Sequence, residues 1–297
     1  MYNQYRKNQF SAYQDTRKQL ISNPGILIQL EEYFAKTIEQ LIIENLSEIA
    51  KDYNEASFLF PFWQNYPPDA RGRQPRGDQY PWIEVGEHAV GDKLPRLLQK
   101  DFQIRDVGLP TGPDKRFVLS NDKILKLTNG LTSSAWLFLD IKSVGPRDDF
   151  EHTVMSHNQI SGDGLWGNID LGVKNSIMTA TGRHTSHKFH CSIPPLYVLS
   201  DGVIAPVILM ALKPVYKMLS LDDKKADGGQ PLGKITIVTI PNGLLLEENP
   251  AYLKKYPGLF FPGKDDKSKN PLKIRSRVSF ELLTKIADWR VRNVLVD

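Results

Sequence analysis

The chain has 297 residues, 40% of them apolar and 24% charged, which excludes a disordered or fibrous chain and is enough for a real hydrophobic core. Its single cysteine, Cys191, excludes an intrachain disulfide and fits a reducing cytosol. The net charge of +4 decides nothing about partners. The longest apolar stretch, 203–212, is broken by Pro206 and is far too short to span a bilayer.

The first residues, Met1 to Lys7, lead into no apolar run and do not read as a signal peptide. Asn23-Pro24 predicts a helix start, with the Asn capping and the Pro in the first helical position. Leu30, Phe34, Ile38, Leu41, Ile42, Leu46 and Ile49 then recur at helical spacing to about Ala50. Periodicity alone leaves open whether this helix belongs to the core or to a subunit contact. Residues 58–68 are aromatic and proline-rich, and with the basic run 71–78 they predict an irregular surface loop. A short helix is expected over 82–90, carrying Glu84 and Glu87. Residues 107–112 are loop-like, and 117–119 are expected to form a short strand.

Residues 135–142 are apolar almost throughout, as a strand is when both faces of its sheet are covered. Asp201-Gly202, between 196–200 and 203–212, is the strongest hairpin signal in the chain. A polar loop at 224–233 precedes a strand at 234–240, which Asn242-Gly243 closes. Over 273–280, Ile274, Ser276, Val278 and Phe280 alternate with Lys273, Arg275, Arg277 and Ser279, predicting a strand with a basic face. No repeat and no sharp composition break appears. The reading is one α/β domain with a mixed central sheet flanked by helices. From residue 251 onward eleven Lys/Arg face five acids, a net +6 that leaves about −2 for the first 250 residues. That basic end fits a polyanion-binding face or a solvated, lysine-rich surface.

The chemistry-bearing pattern is Pro113-Asp114 followed, twenty-six positions after the Asp, by Asp140-Ile141-Lys142. Residues two apart on a strand share a face, so Asp140 and Lys142 point together while Ile141 turns to the core. Phosphodiester hydrolysis needs a hard divalent cation on oxygen donors, an activated water and positive charge near the phosphorane. Asp114, Asp140 and the Ile141 carbonyl can hold magnesium, and Lys142 can orient or help deprotonate the water. Asp-x-Lys also occurs at Asp222, Asp223 and Asp265, in polar loops; the apolar flank is what singles out Asp140. A competing reading is zinc held by His184, His187, His190 and Cys191, which would make a zinc hydrolase. No second ligand pair accompanies them, and a solvated or DNA-backbone-facing loop is the expectation for this stretch.

In sequence blocks spread along its length, the chain resembles the BglI-type restriction endonucleases. The blocks are Asp52-Tyr53-Asn54-Glu55-Ala56, Pro81-Trp82-Ile83-Glu84-Val85-Gly86-Glu87, Gly108-Leu109-Pro110-Thr111-Gly112-Pro113-Asp114 and Asp140-Ile141-Lys142-Ser143-Val144-Gly145-Pro146-Arg147-Asp148. Ile193-Pro194-Pro195-Leu196-Tyr197, Leu199-Ser200-Asp201-Gly202, Pro241-Asn242-Gly243-Leu244 and Pro262-Gly263-Lys264-Asp265-Asp266 follow in order.

The resemblance implies a homodimeric type II restriction endonuclease with the PD-(D/E)xK nuclease core, working in a bacterial cytoplasm beside a DNA methyltransferase of the same specificity. It implies one nuclease domain over 1–297, helical at its N-terminal part and with a basic DNA-reading strand region near its C-terminus. Asp114, Asp140 and Lys142 match the family's catalytic positions, and Glu87 matches a further acidic one. Asp148, Lys264, Asp266 and Arg275, with Arg277 alongside, match the base-reading positions. Arg and Lys donate to guanine and Asp accepts from cytosine, which suits a site with GCC and GGC halves around an unread spacer. The expected cofactor is Mg2+, with Mn2+ able to substitute and Ca2+ supporting binding without cleavage. The alternative, a non-catalytic DNA-binding protein, would share the basic strand but would not need the two aspartates and the lysine.

Overall fold

A computed structural model describes residues 2–58, 81–107, 113–144, 149–156, 177–181, 186–190, 193, 195–199, 201–217, 231–262 and 275–296. Most of the loops expected at 58–78, 107–112 and 224–233, and the positions Asp148, His184, Cys191, Lys264 and Asp266, lie outside the described residues.

The N-terminal part is helical: α1 (Tyr2–Ser22), α2 (Gly25–Glu44), α3 (Leu46–Phe58), α4 (Pro81–Ala89) and α5 (Lys93–Leu98); the short helices α6 (Asp122–Leu127), α7 (Gly243–Glu247) and α8 (Tyr252–Lys255) follow later in the chain. Helix α1 had no counterpart among the sequence expectations; it packs Tyr13 and Leu20 against Leu196, Ile204 and Leu245. The single helix expected from Asn23 to about Ala50 is divided at Asn45. The Asn45 side chain donates to the Leu41 carbonyl at 2.8 Å, supplying a side-chain partner to a carbonyl of the last helical turn. The choice left open by periodicity is settled in favour of the core. Leu30, Phe34, Ile38, Leu41 and Ile42 are buried against the sheet.

The central sheet runs β1 (Gln103–Asp106), β2 (Lys115–Ser120), β3 (Ser134–Ile141), β8 (Ile204–Tyr216), β9 (Leu232–Ile240) and β12 (Val291–Leu295), with β7 (Leu196–Val198) pairing β8. The β3–β8 pair is parallel, and the other pairs are antiparallel. This is the mixed α/β sheet expected from the apolar run. The β7–β8 hairpin turns through Asp201-Gly202 as read from sequence, with Gly202 at a φ of 86° that favours glycine.

Alternation along β3 divides the core in two. Ala135, Leu137, Leu139 and Ile141 face the helices. Trp136 and Phe138 face a second antiparallel sheet, β10 (Phe260–Pro262), β11 (Arg275–Ser279) and β4 (His152–Ser156), where Met155 and Val278 complete the packing. Asp140 has the parity of Trp136 and Phe138 and so lies on the side of this second sheet. The basic strand expected over 273–280 is observed as β11 with Ser276 and Val278 buried, as the alternation required. It ends one residue earlier than its pattern suggested, at Ser279. The Ser279 side chain accepts from Leu282 N and caps α9 (Phe280–Ile286), so Ser279 is buried as a cap and Phe280 is helical.

A further correction concerns the histidine-rich stretch. Residues Ser186–His190 are not a loop but a strand, β6, paired antiparallel with β5 (Ile177–Thr181).

Candidate active site

Two aspartates twenty-six positions apart meet because of strand register. In the β2–β3 pair Lys115 stands opposite Leu139, so Asp114, one residue before β2, is opposite Asp140. Asp114 Oδ2 accepts the Ile141 amide at 2.8 Å, fastening the acid to the strand end. Lys142 leaves β3 with its amide bonded to the Leu212 carbonyl at 2.8 Å, and its ammonium turns back to Asp140 Oδ1 at 2.8 Å and to within 3.8 Å of Asp114 Oδ2. The structure thus brings Asp114, Asp140, Ile141 and Lys142 together.

Glu87 reaches the same cluster from α4. Helix α4 lies so close to the strand end that a Cβ on Gly86 would stand 1.8 Å from Ser143 Oγ, 3.1 Å from Ser143 Cβ and 3.2 Å from Pro214 Cγ. Glycine at 86 therefore lets the next residue, Glu87, face Asp114 and Lys142. Sequence reading singled out Glu87 but not Gly86, whose role depends on a contact between elements far apart in the chain.

The charges are strongly coupled. Burial, with the Asp114 charge adding to it and Lys142 opposing, pushes the Asp140 carboxyl up to about 7. Burial and Asp114 likewise raise Glu87. Burial disfavours the Lys142 charge, but Asp140, Asp114 and Glu87 outweigh it and hold the ammonium protonated. Three carboxylates therefore share one ammonium. Among the described residues no group of three or more His, Cys, Asp and Glu side chains is arranged to hold a metal. The cluster instead offers hard oxygen donors with excess negative charge, a donor set that suits a small divalent cation. At the rim, Lys115 pairs with Asp92, which His88 Nδ1 also approaches at 3.0 Å.

On the second sheet, β11 pairs with β4, placing Arg277 opposite Val154 and Arg275 opposite Ser156. Arg277 Nε lies 3.6 Å from Asp149 Oδ2. The structure describes the backbone of Arg275 but not its side chain. Sequence reading passed over Asp149, His152 and Lys213, which join this sheet to the central one. The usable signal was Lys213, the one charge within the apolar residues of β8. The basic C-terminal end is also less free than its charge count implied. Arg290 is fully buried on Glu31 at 2.6 Å, Arg292 pairs with Glu39 at 3.0 Å, and Lys285 pairs with Glu281.

A mixed sheet that delivers two aspartates and a lysine to the end of its central strand, beside a second sheet with a basic strand, has the features of a nuclease of the restriction-endonuclease class. Comparison with known proteins agrees. A family model of the restriction endonuclease BglI matches residues 8–294. The type II restriction enzyme BglI of Bacillus subtilis is 48% identical, with both chains covered over their full length. The crystal structure of the restriction endonuclease BglI bound to its DNA recognition sequence superposes with a TM-score of 0.86 at 48% identity, again over all of both chains. The tetrameric restriction endonuclease SfiI bound to cognate DNA shares the fold at 12% identity and a TM-score of 0.59, over 91% of this chain and 85% of that one. The chain belongs to the BglI restriction endonuclease family. It is a type II restriction endonuclease, a hydrolase that acts on DNA. Enzymes of this kind generally need a divalent metal. No helix among the described residues is long and apolar enough to cross a membrane.

Proposed function

We propose that this enzyme makes double-strand breaks with Mg2+ held by Asp114, Asp140 and the Ile141 carbonyl. The observation that carries the assignment is the shared ammonium of Lys142, 2.8 Å from Asp140 and 3.8 Å from Asp114 at the end of β3. A bound cation would lower the pKa of a water and polarise the scissile phosphate. Lys142 orients the attacking water and offsets charge developing on the phosphorane. Glu87, raised by burial and by Asp114, is a further acidic group coupled to the same cluster. Mn2+ substitutes, and Ca2+ supports binding without cleavage, because the donors are oxygens while only the smaller ions supply the required polarisation.

Base reading falls to Asp148, Lys264, Asp266, Arg275 and Arg277, two acids and three bases that suit the G·C pairs of GCC and GGC half-sites in an interrupted palindrome. A palindrome is most simply read by a two-fold homodimer, each copy bringing one Asp114, Asp140 and Lys142 set to one strand. The chain works as one nuclease domain over 1–297 in the bacterial cytoplasm, beside a methyltransferase of the same specificity that protects host DNA.

Digestion of a sequenced plasmid, followed by sequencing of the fragment ends, tests the reading. Cleavage at GCC and GGC halves with Mg2+ or Mn2+, lost in EDTA and absent with Ca2+, is the expected result. Full cleavage in EDTA would overturn the metal assignment, and ends at other sequences would overturn the base assignment. Light scattering of the DNA complex checks the dimer, and one chain per duplex would count against it.

A further inference from the structure

Lys213 is almost fully buried on β8, beside the residue that ends the catalytic pattern on β3. Asp140 pairs with Ala211 and Ile141 with Leu212, so the next positions in register are Lys142 and Lys213. The two lysines are neighbours on one face of two parallel strands. Their ammonium groups nevertheless go to different partners. Lys142 serves Asp140, whereas Lys213 donates to the carbonyls of Asp149, at 2.6 Å, and of His152. It also lies 5.1 Å from the ring centroid of Phe280, where β11 passes into α9.

These contacts fasten the second sheet to the first. The chain that leaves β3 is held to β8 at Val144, whose amide donates to the Pro214 carbonyl at 2.9 Å and whose carbonyl accepts from Tyr216 at 3.1 Å. It is held to β8 again at Asp149, through Lys213. The Asp149 carboxylate approaches His152 Nδ1 at 2.8 Å, accepts the Glu151 amide at 3.1 Å and lies 3.6 Å from Arg277 Nε. Burial opposes the Asp149 charge, but the His152 contact, the Glu151 amide and Arg277 outweigh it and keep its carboxyl below the usual range. One short run of contacts therefore leads from the strand beside the cleavage residues to an arginine on β11.

We propose that Lys213, acting with Asp149, is a positioning residue that sets the base-reading strand β11 in register with the cleavage residues at the end of β3. Removing the ammonium leaves two part-buried carbonyls without this donor and loosens the start of β4. Binding survives, because the basic groups that contact DNA are unchanged. Cleavage at the correct site suffers, because displacement of reacting groups by about 1 Å can cost a hundredfold in rate. The inference rests on the reading of β11 and its surroundings as the base-reading region.

The test is the ratio of single-turnover cleavage rates on the cognate duplex and on a duplex altered at one base pair. Cognate binding is measured in parallel with Ca2+. Lys213→Met keeps the aliphatic stem and removes the donors. It is expected to lower the ratio about tenfold or more, with cognate affinity kept within about threefold. A purely structural role would lower both rates together through the folded fraction and leave the ratio where it was; that result overturns the proposal. If Lys213→Met does not fold, Asp149→Asn, at a partly exposed position, carries the same test. A severalfold fall in the ratio then supports the clamp, and an unchanged ratio overturns it. Arg275→Ala is run alongside. If it leaves discrimination intact, the base-reading assignment falls; if it abolishes discrimination while both clamp variants keep it, the clamp alone falls.

Discussion

Lys142 and Lys213 occupy adjacent positions on adjacent strands, with the same residue type and the same side of the sheet, yet they do different work. Lys142 stands where β3 runs out, so its ammonium meets the carboxylates of Asp140 and Asp114 at a place where substrate can enter. Lys213 lies inside the longer β8, covered by the start of β4 and by Phe280, and its ammonium meets backbone carbonyls. The function of a charged side chain here is set by where its strand ends relative to the covering layer.

The largest expected effect is at the cleavage end. Asp140→Ala and Lys142→Ala should each lower the single-turnover rate on cognate DNA by on the order of a thousandfold or more, since each removes a preorganised charge beside the reacting phosphate. Lys213→Met, assayed at equal folded fraction, should fall far short of that loss. Equal losses would mean that the two lysines share one role and would break the contrast.

The next effect is on stability. Arg290→Ala leaves Glu31 buried without its guanidinium partner and should cost about 3–5 kcal/mol in denaturant unfolding, while the folded fraction cleaves normally. The contacts of this ion pair, Glu31 with Arg290 and Arg290 with the Thr239 carbonyl, involve none of the partners named above for either lysine, so a selective loss of sequence discrimination by Arg290→Ala would show that any weakening of the core mimics the clamp.

On the recognition side, Arg275→Ala should cost about 1–3 kcal/mol of discrimination at one base pair. Competition binding with cognate and scrambled duplexes at two salt concentrations measures it. If both duplexes weaken by the same factor, Arg275 contacts the backbone only.

A smaller effect follows from the raised Asp140. Its carboxyl is held protonated up to about 7 by burial, so a cation has to displace a proton below that pH. Magnesium affinity, measured by calorimetry on the DNA-free protein, should rise about fivefold from pH 6 to pH 7 and by a further factor of about two by pH 8, then level off. A flat profile would show that Asp140 is already ionised at pH 6. The smallest expected change is Gly86→Ala. Ser143 Oγ can rotate away, but Ser143 Cβ and Pro214 still crowd the new methyl, so α4 shifts by a few tenths of an ångström. A stability loss on the order of 1 kcal/mol and a severalfold slower cleavage are expected, because crowding is partly offset by better helix propensity. A cleavage rate equal to that of the parent would remove Glu87 from the site.

The sequence by itself determined the central strand and its flanking acid and lysine, because an apolar run ending in Asp-x-Lys shows both a buried strand and the place where it emerges. It also determined the β7–β8 hairpin, since Asp201-Gly202 is a local turn signal, and the basic strand near the C-terminus, since its alternation is local too. Helix α1 went unread, and the break at Asn45 was missed because Asn is compatible with continued helical periodicity and the Asn45 side chain competes with the helix only through its bond to Leu41. Charge counting treated Arg290, Arg292 and Lys285 as candidates for a DNA-facing surface, whereas tertiary structure put Arg290 in the core and gave the other two acidic partners. The meeting of Asp114 with Asp140, the close approach at Gly86 and the fastening of Asp149 by Lys213 were decided only in three dimensions. Each depends on the register or contact of segments that are distant in sequence, and no local propensity encodes such pairings.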